Sequence, residues 1–249
     1  ILSAYPVMRF YMRESESPVL TIVLFLTVAP FNMYFSGIQQ VLAMGFAFWA
    51  WQMAKEKKLL QFAAIVLLAM QFHRSAVILL VLYPLYHLRI TRNWLWFVIP
   101  AMLAVYVFNV PIFNFAVRFL WDDYGSTQET GATTVLLLLI IFAAYAFVIP
   151  EPAKLDKDII GYRNVLLFSI VIQCFAPIHA LAMRMNYYFL LFIPLLVPKI
   201  ANRSKRGYRS VANISVMVMV LFFTAYFFFR AHRGADPLEI YPYIPFWRN

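Results

Sequence analysis

Apolar runs close to the length of a bilayer crossing recur along this sequence, separated by short polar interruptions, and nothing constrains its fold more. Val135-Leu-Leu-Leu-Leu-Ile-Ile-Phe-Ala-Ala-Tyr-Ala-Phe-Val148 is one such run. Spans are expected near 18–35, 38–54, 94–111, 132–150, 164–183, 186–200 and 211–229. Most hold about the 17–25 residues needed to cross roughly 30 Å of hydrocarbon. The runs lack apolar/polar alternation and are too long for membrane strands, so helices follow. Residues 1–11 read as the tail of an earlier span, and the Ile1 start leads us to expect a preceding N-terminal part. With 63% hydrophobic and 13% charged residues, the composition excludes a soluble domain, a disordered chain and a collagen-like fibre. Cys174 is the only cysteine, so no disulfide framework or cysteine-rich metal site is available.

Residues 59–88 do not fit a single crossing. Leu59–Met70 and Ala76–Leu88 are each short, and Gln71, His73, Arg74 and Ser75 separate them. One continuous helix would put Arg74 at the bilayer midplane, at a cost of several kcal/mol. A hairpin of two short helices places that polar tip at a face or in a water-filled cavity. Both flanking loops, Lys55-Glu-Lys-Lys58 and Arg89-Ile-Thr-Arg92, are basic, and basic loops stay in the cytoplasm. Only the hairpin satisfies both. The expected fold class is therefore all-α: a polytopic integral membrane helix bundle, one multi-pass domain over residues 1–249, with a short broken-helix hairpin.

With the hairpin in place the loops alternate. The cytoplasmic side takes Arg9, Arg13, Lys55, Lys57, Lys58, Arg89, Arg92, Lys154, Lys157, Arg163, Lys199, Arg203, Lys205, Arg206 and Arg209. The other side takes Arg74, Arg118, Arg184, Arg230, Arg233 and Arg248, and no lysine. The net charge of +10 is then a topology signal, and no nucleic-acid partner is called for.

An outer face that uses arginine alone points toward phosphate or carboxylate, which the guanidinium fork recognises while keeping its charge when partly desolvated. Headgroup anchoring explains Arg118, Arg230 and Arg233 equally well. Arg74 and Arg184 lie inside apolar sequence, where an ionisable residue is a functional candidate. Gly37 opens a turn, and Gln39 and Gln40 fall on the first turn of the following helix, whose free amides and positive dipole end suit an anion. The stretch 115–124 is partly amphipathic and suits the interface, as an anchor or with Trp121 and Tyr124 as sugar-stacking surfaces. His73 caps a freed carbonyl or acts beside Arg74. His179 is a weaker candidate, and His87 reads as structural. No histidine spacing suits zinc, and no Walker loop or G-x-G-x-x-G occurs. No metal or cofactor is expected, and direct use of a nucleotide sugar or ATP is disfavoured.

Four elements carry a family resemblance. The run Phe31-Asn-Met-Tyr-Phe-Ser-Gly37-Ile-Gln-Gln40-Val-Leu-Ala43 resembles the F…GIRQ.LA signature of the EpsG-like family of bacterial polysaccharide-biosynthesis membrane proteins. Phe72-His73-Arg74-Ser75-Ala76 resembles its FH.SA element, and Arg184-Met-Asn-Tyr-Tyr188, leading to Pro194 or Pro198, its R…Y…P stretch. Tyr241-Pro-Tyr243 is similar to its closing PY element, so the resemblance runs from about residue 17 to 249. Gln39 stands where the family commonly has arginine; it donates hydrogen bonds but supplies no charge.

The resemblance implies a multi-pass protein of the bacterial inner membrane, of the Wzy-type repeat-unit polymerase class. Its substrate would be a polyprenyl-diphosphate-linked oligosaccharide at the outer face, used in capsule, exopolysaccharide or O-antigen assembly. The lipid bilayer and other polysaccharide-assembly proteins are the expected partners. For that chemistry Gln39, Gln40, Arg74, Arg118, Arg184 and Tyr188 are the expected substrate-binding residues. A developing diphosphate charge needs cationic donors, and an acceptor hydroxyl needs a base within hydrogen-bond reach. His73, Asp122 and Asp123 are the catalytic candidates, with Glu129, Asp236 and Glu239 as further outer-face carboxylates. A flippase of lipid-linked oligosaccharide is the rival reading, because transporters also use broken helices and intramembrane charge.

Overall fold

The computed structural model describes residues 4–27, 31, 34, 37–120, 133–148, 156–204 and 206–232, and among them every regular element is helical. In chain order these are α1 (Tyr5–Glu14), α2 (Pro18–Thr27), α3 (Ile38–Lys55), α4 (Leu59–Phe72), a 3-10 segment (Arg74–Val81) running into α5 (Leu82–His87), α6 (Leu95–Val107), α7 (Asn109–Leu120), α8 (Thr133–Val148), α9 (Lys157–Gln173), α10 (Ala180–Leu190), α11 (Ile193–Arg203) and α12 (Arg209–His232). The all-α class is what the apolar runs demanded.

Several helices are shorter than the runs that contain them. By length and composition, Arg206–Tyr226 is the one stretch among the described residues long and apolar enough to cross a bilayer uninterrupted. The number rises to three if two bent pairs each count as one span: 74–87 with 92–107, bent by 118°, and 180–190 with 193–203, bent by 40°. The expected run 94–111 ends as a helix at Val107 and turns at Phe108. The expected run 164–183 is displaced: α9 starts at Lys157, where the Asp156 carboxylate accepts from the Asp158 amide, and ends in a turn over 174–178. The run 186–200 is divided at Leu191 and Phe192, just before Pro194. Helix caps and prolines cut the apolar runs, and hydropathy alone does not register them.

The breaks leave backbone carbonyls without helical donors, and neighbouring side chains supply them. Pro198 has no N–H for the Pro194 carbonyl; the Thr21 hydroxyl donates to it instead, at 3.1 Å. The Tyr11 hydroxyl donates to the Leu191 carbonyl at 2.7 Å, at the α10–α11 break. Asn164 donates to the Leu85 and Leu88 carbonyls at the end of α5, and Asn109 to the Cys174 carbonyl past α9. His87 Nε2 lies 3.1 Å from the Ala54 carbonyl, a structural contact. Where no water is at hand, such substitutes are what permit a broken helix.

Helix α9 is the hub, buried along most of its length from Ile159 to Gln173 and packed by α5, α6, α8, α10 and α11. Trp51 of α3 stacks on Tyr162 of α9, with ring centres 5.1 Å apart and planes 10° apart. Gly161 makes room for it: a Cβ there would sit 2.8 Å from the indole. Around this core the outer surface is apolar, with Trp96 89%, Leu60 87% and Phe97 71% exposed and no residue of α6 buried. A surface of that kind fits lipid and not water.

Charge gathers at one end of the bundle. The Lys55 ammonium lies 2.9 Å from Asp158 and 3.3 Å from Glu14, the Tyr86 hydroxyl donates to Asp158 at 3.1 Å, and Arg203 pairs with Glu16 at 2.8 Å. Arg163, expected on a loop, and Lys199, expected at the cytoplasmic end of its span, are both buried within helices. Lys199 approaches Asp158 at 3.9 Å, and the Arg163 guanidinium lies over the Phe147 ring at 4.8 Å. Charge by itself marks a face of the membrane, but a cation with a carboxylate or a ring to face is held inside.

Candidate functional site

Three elements meet at the opposite end of α3. Gly37 precedes the helix, and Gln39 and Gln40 occupy its first turn as expected. Gln39 is exposed, whereas Gln40 is buried and donates through Nε2 to the Arg184 carbonyl at 2.7 Å. Gln40 therefore fixes the backbone of α10 at Arg184. From Gln40 to Lys55 the helix rises about 22 Å at 1.5 Å per residue. The arginine end and the lysine end are thus separated by most of a hydrocarbon thickness.

The second element is the link between α4 and the 3-10 segment, which pack against each other. His73 is extended there, at φ −154° and ψ 121°, and caps the 3-10 segment. Its Nδ1 lies 2.6 Å from the Ser75 hydroxyl and accepts from the Ser75 amide at 3.3 Å. Arg74, the first residue of the 3-10 segment, is exposed.

The third element is α10. His179 starts it by accepting the Leu181 amide at 3.0 Å, and its ring stacks on Phe113. Tyr188, one turn beyond Arg184, is fully buried, with its hydroxyl 3.2 Å from the Ser75 hydroxyl. Residues four apart share a helix face, so the Tyr188–Ser75 contact carries the exposed Arg184 toward His73. His73 lies outside the helices on either side of it. Burial, and then the positive charge of Arg184, lower its pKa from the ordinary 6.5.

Of the expected site residues, the fold brings Gln40, His73, Arg184 and Tyr188 into one connected group, with Gln39 and Arg74 as the exposed neighbours in sequence. Arg118 lies near the end of α7, away from the described hydrogen-bond chain in sequence. Asp122, Asp123, Trp121, Tyr124, Glu129, Arg233, Asp236, Glu239, Tyr241, Tyr243 and Arg248 lie outside the described residues. Among the described residues no group of three or more His, Cys, Asp or Glu side chains is placed to hold a metal ion.

Two features are not evident from the sequence. Ser75 lies inside the FH.SA-like motif, which does not by itself show its partners. Behind Arg184, Asn186 receives the Ser169 hydroxyl and donates to Gln173, both at 2.6 Å, and all three residues are fully buried. The visible signal was polar side chains within apolar helices, which inside a bundle must find each other. The network ties α10 to α9 directly beneath the arginine. A cavity of about 410 Å³ opens elsewhere, among Ser17 and Leu20 of the α2 region, Asn202 of α11 and Asn213 of α12. The chemistry-bearing side chains are not in it.

The described residues form a helical molecule with a lipid-like surface, a lysine-rich ionic end and an arginine–histidine end, features that suit a membrane protein. The chain matches the model of the EpsG family over residues 1–244 and belongs to that family. It is thereby a member of a membrane protein family, and membership points to a role in polysaccharide biosynthesis. No curated protein and no solved structure matches the chain.

Proposed function

We propose that this protein polymerises oligosaccharide repeat units carried on polyprenyl diphosphate, at the outer face of the bacterial inner membrane. The observation that carries the reading is the convergence of Gln40, His73 and Arg184 at the end of the bundle away from Lys55 and Lys199. In the reaction an acceptor hydroxyl oxygen bonds to the anomeric carbon of the donor repeat unit. The bond from that carbon to the diphosphate oxygen breaks, and its electron pair leaves with the polyprenyl diphosphate. Arg184 and Arg74 supply positive charge to the leaving group, with the first-turn amides of α3 beside them. The acceptor's proton passes to a base, for which Asp122 and Asp123 are the carboxylate candidates. The apolar surface suits an isoprenoid carrier lying in lipid.

Cells carrying Arg184→Ala are expected to lose polymer and to accumulate single repeat units on the outer face. Accumulation on the inner face instead would identify a flippase. Purified protein should extend a synthetic polyprenyl-diphosphate repeat unit with no nucleotide sugar present, and failure to extend it would overturn the reading.

A further inference from the structure

The contacts of His73 decide which of its ring nitrogens carries the proton. A backbone N–H can donate only to an unprotonated nitrogen, and the Ser75 amide donates to Nδ1 at 3.3 Å. The Ser75 hydroxyl, 2.6 Å from the same nitrogen, must then also be a donor to it. Its oxygen is left to accept, and the Tyr188 hydroxyl stands 3.2 Å away as the donor. Every proton in the chain Tyr188–Ser75–His73 therefore points toward the imidazole. The ring's own proton is confined to Nε2. Adding a second proton at Nδ1 would set it against the Ser75 amide.

We propose that Ser75 is a positioning residue that holds His73 as the Nε2–H tautomer, so that His73 presents a neutral hydrogen-bond donor beside Arg184 to an anionic oxygen. It does not then act as a base. The identity of that oxygen rests on the function proposed above: it belongs to the diphosphate that takes the electron pair as the glycosyl bond breaks. Nε2–H and the Arg184 guanidinium share the developing charge, one as a dipole and one as a full cation. The proton released by the acceptor hydroxyl goes to a base other than His73, a role the function proposed above gives to a carboxylate.

The tautomer is read by nitrogen NMR on the full chain in nanodiscs with ¹⁵N-labelled histidine, the His73 signals being assigned by their loss in His73→Gln. The unliganded wild type is expected to show an unprotonated Nδ1 and a protonated Nε2. Ser75→Ala keeps the long amide contact and loses the shorter hydroxyl one, so the Nε2–H form should drop from the sole tautomer to a majority with a detectable Nδ1–H minority. Ser75→Thr, which keeps the hydroxyl, should retain one tautomer. A protonated Nδ1 in the wild type, or a single unchanged tautomer in Ser75→Ala, would overturn the positioning role. In repeat-unit extension, glutamine supplies an amide N–H near the position of Nε2. His73→Gln should stay within about tenfold of wild type while His73→Ala falls about a hundredfold, the usual loss of one transition-state donor. Equal loss in the two variants, both folded by thermal melt, would overturn the donor role. The tautomer is measured without substrate, so a wild type with the expected tautomer and no extension activity refutes the polymerase reading while supporting the positioning of His73.

Discussion

Trp51 sets the tightest tolerance in the core. Its indole fills the space that a side chain at Gly161 would need, and the ring of Tyr86 stands 3.0 Å from the same point. Both neighbours are rigid aromatics in contact with other rings, so neither can swing aside. Gly161→Ala is expected to destabilise the fold by about 1–3 kcal/mol, the usual cost of overpacking, read as a lower melting temperature of the purified protein. His73 gives a second prediction. Its lowered pKa means that the folded state resists protonation, so its effect on stability is flat well above 6.5. Below 6.5 the unfolded chain takes up the proton first, and stability falls with pH until the folded-state pKa is passed. Wild type should therefore lose melting temperature more steeply than His73→Gln as pH drops below about 6.5; parallel curves would contradict this. Neither effect is visible in the residue string. Gly161 reads as one more small residue in an apolar run, and Ser75, the partner of His73, is itself held by a tyrosine 113 positions away.

Among elements, the ends carry the specificity. Asp158, on the first turn of α9, gathers Lys55 from α3, Lys199 from α11 and Tyr86 from α5. Replacing it removes one partner from several largely buried groups at once. That is more damaging than exchanging the whole cluster for apolar residues. Asp158→Asn is expected to cost about 3 kcal/mol, seen as a lower melting temperature. A change within error of zero would show the cluster to be solvated. The helices themselves were largely legible, because α3, α4 and α12 follow directly from apolar runs and the polar break at 73–75. Their terminations were not. Asp156 caps α9, which starts seven residues before the expected boundary; Pro194 follows the break at 191–192 and Pro198 withholds an amide inside α11, and the carbonyls left free are satisfied by Tyr11 and Thr21. A hydroxyl from a helix more than 170 residues away in sequence makes those breaks tolerable.

For the molecule as a whole, charge sorting makes a prediction that needs no substrate. In a Cys174→Ser background, a cysteine placed at Arg74 should react with a membrane-impermeant thiol reagent added to spheroplasts, and one at Lys57 should react only after lysis. Equal reactivity from one side would put both ends on the same face and remove the basis for an outer-face site. The two ends are legible because every lysine falls in one set of loops while arginine falls in both. By itself the sequence determined a helical chain clothed in apolar surface, with its lysines confined to one set of loops, because helix formation and lipid solvation are governed by local composition. Only the tertiary structure decided that Lys199 and Arg163 lie inside the bundle. It alone joined His73, Ser75 and Tyr188 in one hydrogen-bond chain, and held Arg184 in place from Gln40 and supported its helix from Asn186. Buried polar groups take whatever partners packing brings within reach, and that proximity is set by how helices distant in sequence meet.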